Sequence, residues 1–219
     1  HPPTHLPHST LLQVLRIMEL VHTHPADIGA KDGDRDTFLI QAAVQGHLDI
    51  VQLLTQRANI ETHDGDHKTP LTRAAIKGHK DIVEMLLKQR ADIETKDLQE
   101  WTPLLRAACE GYPDIVEMLL TYRADTTAMD WQQLTPLSRA ASQGHRDIVE
   151  KLLAHGADSG VKHWNQTPPL ICAAHHGHSE IMEMLLAHRA DIEAEDSDQR
   201  APLTCAAFKG HGDIVETLL

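Results

Sequence analysis

Apolar residues along the chain fall into two short clusters that alternate. In one, Ile82, Val83, Leu86 and Leu87 stand at i, i+1, i+4 and i+5, a broad apolar stripe on one face of a helix. In the other, Leu71, Ala74 and Ala75 keep helical spacing with smaller side chains, which let neighbouring helices approach to about 8 Å. Polar segments such as ADIETKDLQEW, from Ala91 to Trp101, lie between one pair of clusters and the next. These are too short and too punctuated for another helix. The pattern predicts two short helices followed by an extended turn or hairpin.

This unit is written repeatedly. TPL starts at Thr69, Thr102 and Thr135, and related triplets start at Thr37, Pro168 and Ala201, at one step of 32 and then steps of 33. GHKDIVEMLL, from Gly78, returns in variant form from Gly46, Gly111, Gly144, Gly177 and Gly210. A single helix pair of this length cannot bury its apolar stripe, but a stack of them makes one continuous core. Gly78 is placed to end the first helix in the left-handed conformation. Pro113, in the column of Lys80 and Arg146, suits the first turn of the second helix, which therefore begins just after His79 and its counterparts.

The same phrase contains His79, Asp81 and Glu84, which resemble metal ligands. Because the copies come one per unit, about 10 Å apart in a helical stack, they form a ladder and not a cage. The local chemistry assigns them to the helix start instead. His79 is placed to cap it, and Asp81 and Glu84 set negative charge near its positive end.

These units resemble ankyrin repeats, whose consensus runs like D..G.TPLHLAA..GH.EIV..LL..GADVN. The likeness covers Thr37 to Leu219 in units starting near 37, 69, 102, 135, 168 and 201. A degenerate N-terminal repeat or cap spans 1–36, where THL at Thr4 and IMELV at Ile17 keep the phase. The resemblance implies an all-α solenoid of helix pairs joined by short β-hairpins or turns, with a concave groove lined by first helices and hairpins. It also implies a non-catalytic, monomeric module that binds a protein and needs no cofactor. The last unit has an ordinary internal sequence, so the array is expected to continue beyond Leu219.

The chain departs from the consensus in three columns. The TPLH histidine is replaced by Ile40, Thr72, Leu105, Ser138, Ile171 and Thr204. The hairpin glycine is replaced by Arg35, His67, Glu100, Gln133, Gln166 and Gln199. The glycine after the second helix survives as Gly156 and is otherwise Arg57, Arg90, Arg123 or Arg189. A non-glycine residue in the left-handed region costs about 1 kcal/mol, so these turns either change conformation or hold the strain.

Composition narrows the function. With 3% aromatic residues, the core must be aliphatic. A net charge of −12 without a basic run excludes a phosphate-tracking nucleic-acid surface. No apolar run approaches the roughly 20 residues that span a membrane. Cys109, Cys172 and Cys205, odd in number and widely spaced, point to reduced thiols in the cytoplasm or nucleus. Cys172 and His176 share a helical face in CAAHHGH, but a structural zinc site wants four ligands, so no metal is expected.

Candidate recognition residues are those that break the repeat. Arg73, Arg106 and Arg139 form a column at steps of 33. They either line the groove as a basic stripe or neutralise a local acid, for example Glu110 four residues after Arg106. If they line the groove, Arg106→Glu should leave stability nearly unchanged. Leu98, Trp131 and Trp164 share a hairpin-tip column, and Trp101 lies four residues after an aspartate. These side chains either pack hairpin against hairpin or touch a partner with acidic and apolar side chains. The alternative is that the chain serves as a structural or sensor arm for an enzymatic or nucleotide-switch domain outside it.

Overall fold

The structure is a computed structural model that describes residues 32–56, 58–160 and 167–219. Residues 1–31 of the expected N-terminal repeat lie outside these, as do Arg57, Trp164 and Gln166. The described residues hold six helix pairs and no strand: α1 Asp32–Gln45 and α2 Leu48–Leu54, α3 Pro70–Lys77 and α4 Lys80–Lys88, α5 Pro103–Glu110 and α6 Pro113–Thr121, α7 Pro136–Gln143 and α8 Arg146–Ala154, α9 Pro169–His176 and α10 Ser179–Ala187, α11 Pro202–Lys209 and α12 Gly212–Leu218. This is the all-α solenoid, with turns where the sequence allowed hairpins.

First helices stack on first helices and second helices on second helices, and each pair packs against itself. Ala74, Ala107, Ala140 and Ala173 are fully buried in the first row, where their small side chains permit the close approach. Ile82, Val83, Leu86 and Leu87 are buried as well, and so are Ile115, Val116, Leu119 and Leu120 in the next unit. One core therefore runs the length of the array.

Local chemistry fixes the ends of each helix. The Thr69 hydroxyl accepts a hydrogen bond from the Thr72 N–H at 3.3 Å, and Pro70 takes the first helical position. Thr102 and Thr135 cap α5 and α7 in the same way. Gly78 closes α3 at φ 76°, in the left-handed region.

His79 does not cap α4, contrary to the reading from sequence. Its backbone, at ψ 77°, is not the extended conformation that aims a capping side chain at the first turn. Instead its Nε2 reaches 2.9 Å to the carbonyl of Val44 in the preceding unit. The ring lies on Gly46, where a Cβ would stand 2.7 Å from His79 Cε1. His145, His178 and His211 repeat this with the carbonyls of Cys109, Ser142 and His175. Tyr112 places its ring on Gly78. The glycine column thus ends a helix and also seats the ring of the next unit.

Seven of the residues that replace glycine keep the left-handed backbone, whereas Arg35 lies inside α1 and takes up a helical position there. Arg90, Arg123 and Arg189 have φ of 65°, 66° and 63°, and His67, Glu100, Gln133 and Gln199 lie between 59° and 62°. At these seven positions the array holds the strain and does not change the turn. Arginine at a helix C-terminus offsets part of it through the helix dipole.

Candidate protein-interaction face

The turns before α3, α5, α7 and α11 are each organised by an aspartate. Asp97 Oδ1 accepts from the N–H of Gln99 at 2.8 Å and of Trp101 at 3.2 Å. Its Oδ2 accepts from Arg106 Nε at 2.9 Å and from Arg106 Nη2. Asp130 repeats the arrangement with Gln132, Leu134 and Arg139, and Asp64 does so with Asp66, Lys68 and Arg73. The carboxylates of Asp97 and Asp130 are fully enclosed, and such a charge is tolerable only when it is paired and hydrogen-bonded.

The arginine column therefore does pair locally, but its acid stands nine residues earlier in the turn, not at Glu110. Geometry explains the choice. An exposed i,i+4 pair on a helix is worth a few tenths of a kcal/mol, whereas the buried aspartate offers a charged acceptor already fixed by main-chain donors. Arg106 also donates to Gln99 Oε1 at 2.9 Å and Arg139 to Gln132 Oε1 at 2.6 Å, so each guanidinium spans the turn. Side-chain exposure is 25% for Arg73, 12% for Arg106 and 11% for Arg139. Arg106→Glu would set a second carboxylate against buried Asp97, so this geometry predicts that the reversal costs stability.

A sequence signal for this pairing exists inside the repeats. Where the arginine becomes Cys172, the position nine residues before is His163. Where it becomes Cys205, Asp196 remains and is paired by Arg200, four residues later, at 2.9 Å. Burial tends to raise the carboxyls of Asp64 and Asp196. The main-chain N–H donors and the arginine partners more than offset this and hold both below the ordinary carboxylate range.

The column also separates the aromatic residues. Trp101 is buried, with its ring held between Arg106 at 4.3 Å and Arg139 at 4.5 Å from the ring centre. Leu98 and Trp131 point outward, 65% and 60% exposed. Trp164 lies outside the described residues. Neighbouring tips are tied together by main-chain bonds from Leu98 N–H to Asp66 O at 3.1 Å and from Trp131 N–H to Gln99 O at 3.2 Å. Trp101 and the arginines form the base, and Leu98 and Trp131 stand on it.

The family profile described as ankyrin repeats matches in three copies, over residues 11–97, 91–163 and 137–219. The chain belongs to the ankyrin repeat family. Comparison with curated proteins returned no match. Ankyrin repeats are in general protein–protein interaction modules and are typically non-catalytic. In this ankyrin array, Leu98 and Trp131 are the large apolar side chains that the turn tips leave open.

Other clusters belong to the scaffold. His176 Nδ1 donates to the Cys172 carbonyl at 2.9 Å, and burial pushes the Cys172 thiol up to about 12. Among the described residues, no group of three or more His, Cys, Asp or Glu side chains is placed to hold a metal ion. Among the same residues, no helix is long and apolar enough to cross a membrane.

Proposed function

We infer that this ankyrin array binds a partner protein through its tip row, with Leu98 and Trp131 as apolar anchors. Trp164 holds the same column in the sequence. Arg106, Arg139 and Trp101 set the tips at a fixed height, and Arg73, the most open of the three arginines, meets acidic side chains of the partner. The module acts as a single chain without catalysis or cofactor. Its free cysteines, two of them buried, suit a reducing cytoplasmic or nuclear setting.

The exposure of Leu98 and Trp131 on a base that does not need them carries this reading. A large ring standing in water on a rigid, hydrogen-bonded tip is a preorganised anchor, and tryptophan is favoured at the centre of interfaces. Side-by-side affinity capture with the wild-type chain and a Leu98→Ser/Trp131→Ser variant tests it. Proteins retained by the wild type are expected to be lost from the variant, with its melting temperature unchanged. An identical retained set from both chains overturns the proposal.

A further inference from the structure

The tips carry oriented polar groups as well as apolar anchors. Gln99 follows Leu98 and Gln132 follows Trp131, and both glutamines are exposed. The arginine beneath each one fixes its amide: Arg106 Nη2 donates to Gln99 Oε1 at 2.9 Å and Arg139 Nη2 to Gln132 Oε1 at 2.6 Å. Arginine can only donate, so the oxygen must face it and the Nε2–H2 group is directed away. Among the described residues neither Nε2 has an acceptor. The guanidinium at each Oε1 polarises the amide and makes its N–H groups better donors. Each of these tips thus sets an apolar side chain beside an electropositive donor.

A ligand that complements such a row offers an apolar group and an unused acceptor at every step. Stacked units set successive anchors about 10 Å apart, and the main-chain bond from Trp131 N–H to Gln99 O at 3.2 Å holds the two tips together. An extended strand shows the same face every two residues, about 7 Å, and falls out of step. An α-helix shows the same face again after seven residues, about 10.5 Å, but its carbonyls are already bonded within the helix. A polyproline II helix advances about 9 Å in each three-residue turn and leaves every carbonyl unbonded. Its electronegative carbonyls match the donors of Gln99 and Gln132, and its step matches the anchors.

Given the tip row as the binding face, we propose that its occupant is a proline-rich segment of the partner in the polyproline II conformation, laid along the row at one turn per unit. Prolines three residues apart pack on Leu98 and Trp131, and carbonyls between them accept from Gln99 and Gln132 Nε2–H2. Aromatic side chains on the receptor are the common complement of such segments. The stiff ligand also loses little conformational freedom on binding.

NMR titration of the full chain with decaproline, blocked and uncharged at both ends, tests this. The Trp131 indole and the Gln99 and Gln132 side-chain amides are expected to shift together. Gln99→Glu/Gln132→Glu keeps an acceptor for each arginine but removes the donors, and should raise the Kd at least about tenfold. Leu98→Ser/Trp131→Ser should abolish the response. No response in the wild type, shifts confined to residues away from the tips, or an equal Kd for the wild type and the glutamate variant overturns the proposal. So does a response of the tips to a helical peptide with leucine at every seventh residue but not to decaproline, an outcome that leaves the tip row standing as the binding face. Proteins captured equally by the wild type and by Leu98→Ser/Trp131→Ser would instead refute the face itself, and the proposal with it.

Discussion

The guanidinium of Arg139 lies 4.5 Å above the ring centre of Trp101, so a residue of one unit braces the turn of the unit before it. The same arginine is bonded to Asp130 and Gln132 of its own turn. The turn at Asp130 is thereby fixed to its own first helix and to the turn before it. A cation held over an indole face away from water contributes up to about 2 kcal/mol, and here it also fixes the spacing between successive tips.

Removing the carboxylate under Arg139 exposes the weight of this arrangement. Asp130→Ala leaves a largely enclosed guanidinium without its anion and the turn N–H groups of Gln132 and Leu134 without their acceptor. The expected cost is about 3 kcal/mol or more. Glu110→Ala, at the exposed acid four residues after Arg106, is expected to cost less than about 0.5 kcal/mol. Urea unfolding of both variants decides the matter, and equal costs would show that the column is not paired as described.

The course of the backbone was legible in the sequence because its determinants are local. Thr102 and Pro103 start α5 and Gly111 ends it, and the 33-residue step then multiplies the unit. The roles of side chains that cross a unit boundary were not legible. His79 carries the composition of a cap, but its acceptor is a carbonyl 35 residues earlier. Trp101 and Trp131 differ little as residues in polar turns. One is buried and the other exposed because Trp101, immediately before the capping Thr102, falls between two arginines, while Trp131 follows its aspartate directly and stands at the tip. The aspartate–arginine pairing left a trace in the paired columns, which an i,i+4 rule could not detect.

Glycine substitutions should separate the two tasks of the glycine column. Gly144→Ala places a methyl group 2.7 Å from His178 Cε1 in addition to the left-handed strain, whereas Gly210→Ala meets the strain alone. The Gly210 variant is expected to lose about 1 kcal/mol. The Gly144 variant should lose clearly more and regain part of it in combination with His178→Ala. Thermal denaturation of the three variants provides the check, and equal losses at Gly144 and Gly210 would contradict a ring seat.

The strained arginines predict the opposite sign. Arg123 holds φ 66° after α6, and Arg123→Gly removes a left-handed penalty of about 1 kcal/mol at the loss of a smaller dipole interaction. A net gain in the urea midpoint is expected. A loss would mean that the arginine side chain contributes more than the backbone strain costs.

Acid titration tests the aspartate turns. The folded carboxyls of Asp64 and Asp196 lie below their ordinary value of 3.8. Their contribution is therefore complete above that value and is lost as pH falls through the lowered folded values. The melting temperature should fall steeply below about pH 4. Asp64→Asn/Asp196→Asn should melt lower at neutral pH and show a shallower acid decline. A decline just as steep in the variant would place the acid-sensitive groups elsewhere.

Hydrogen exchange of the array with and without a captured partner measures the central claim most directly. The account predicts new protection concentrated at residues 97–99 and 130–132, with the second helices unchanged. Protection confined to α4, α6 and α8, with the tips exchanging as in the free chain, would contradict it.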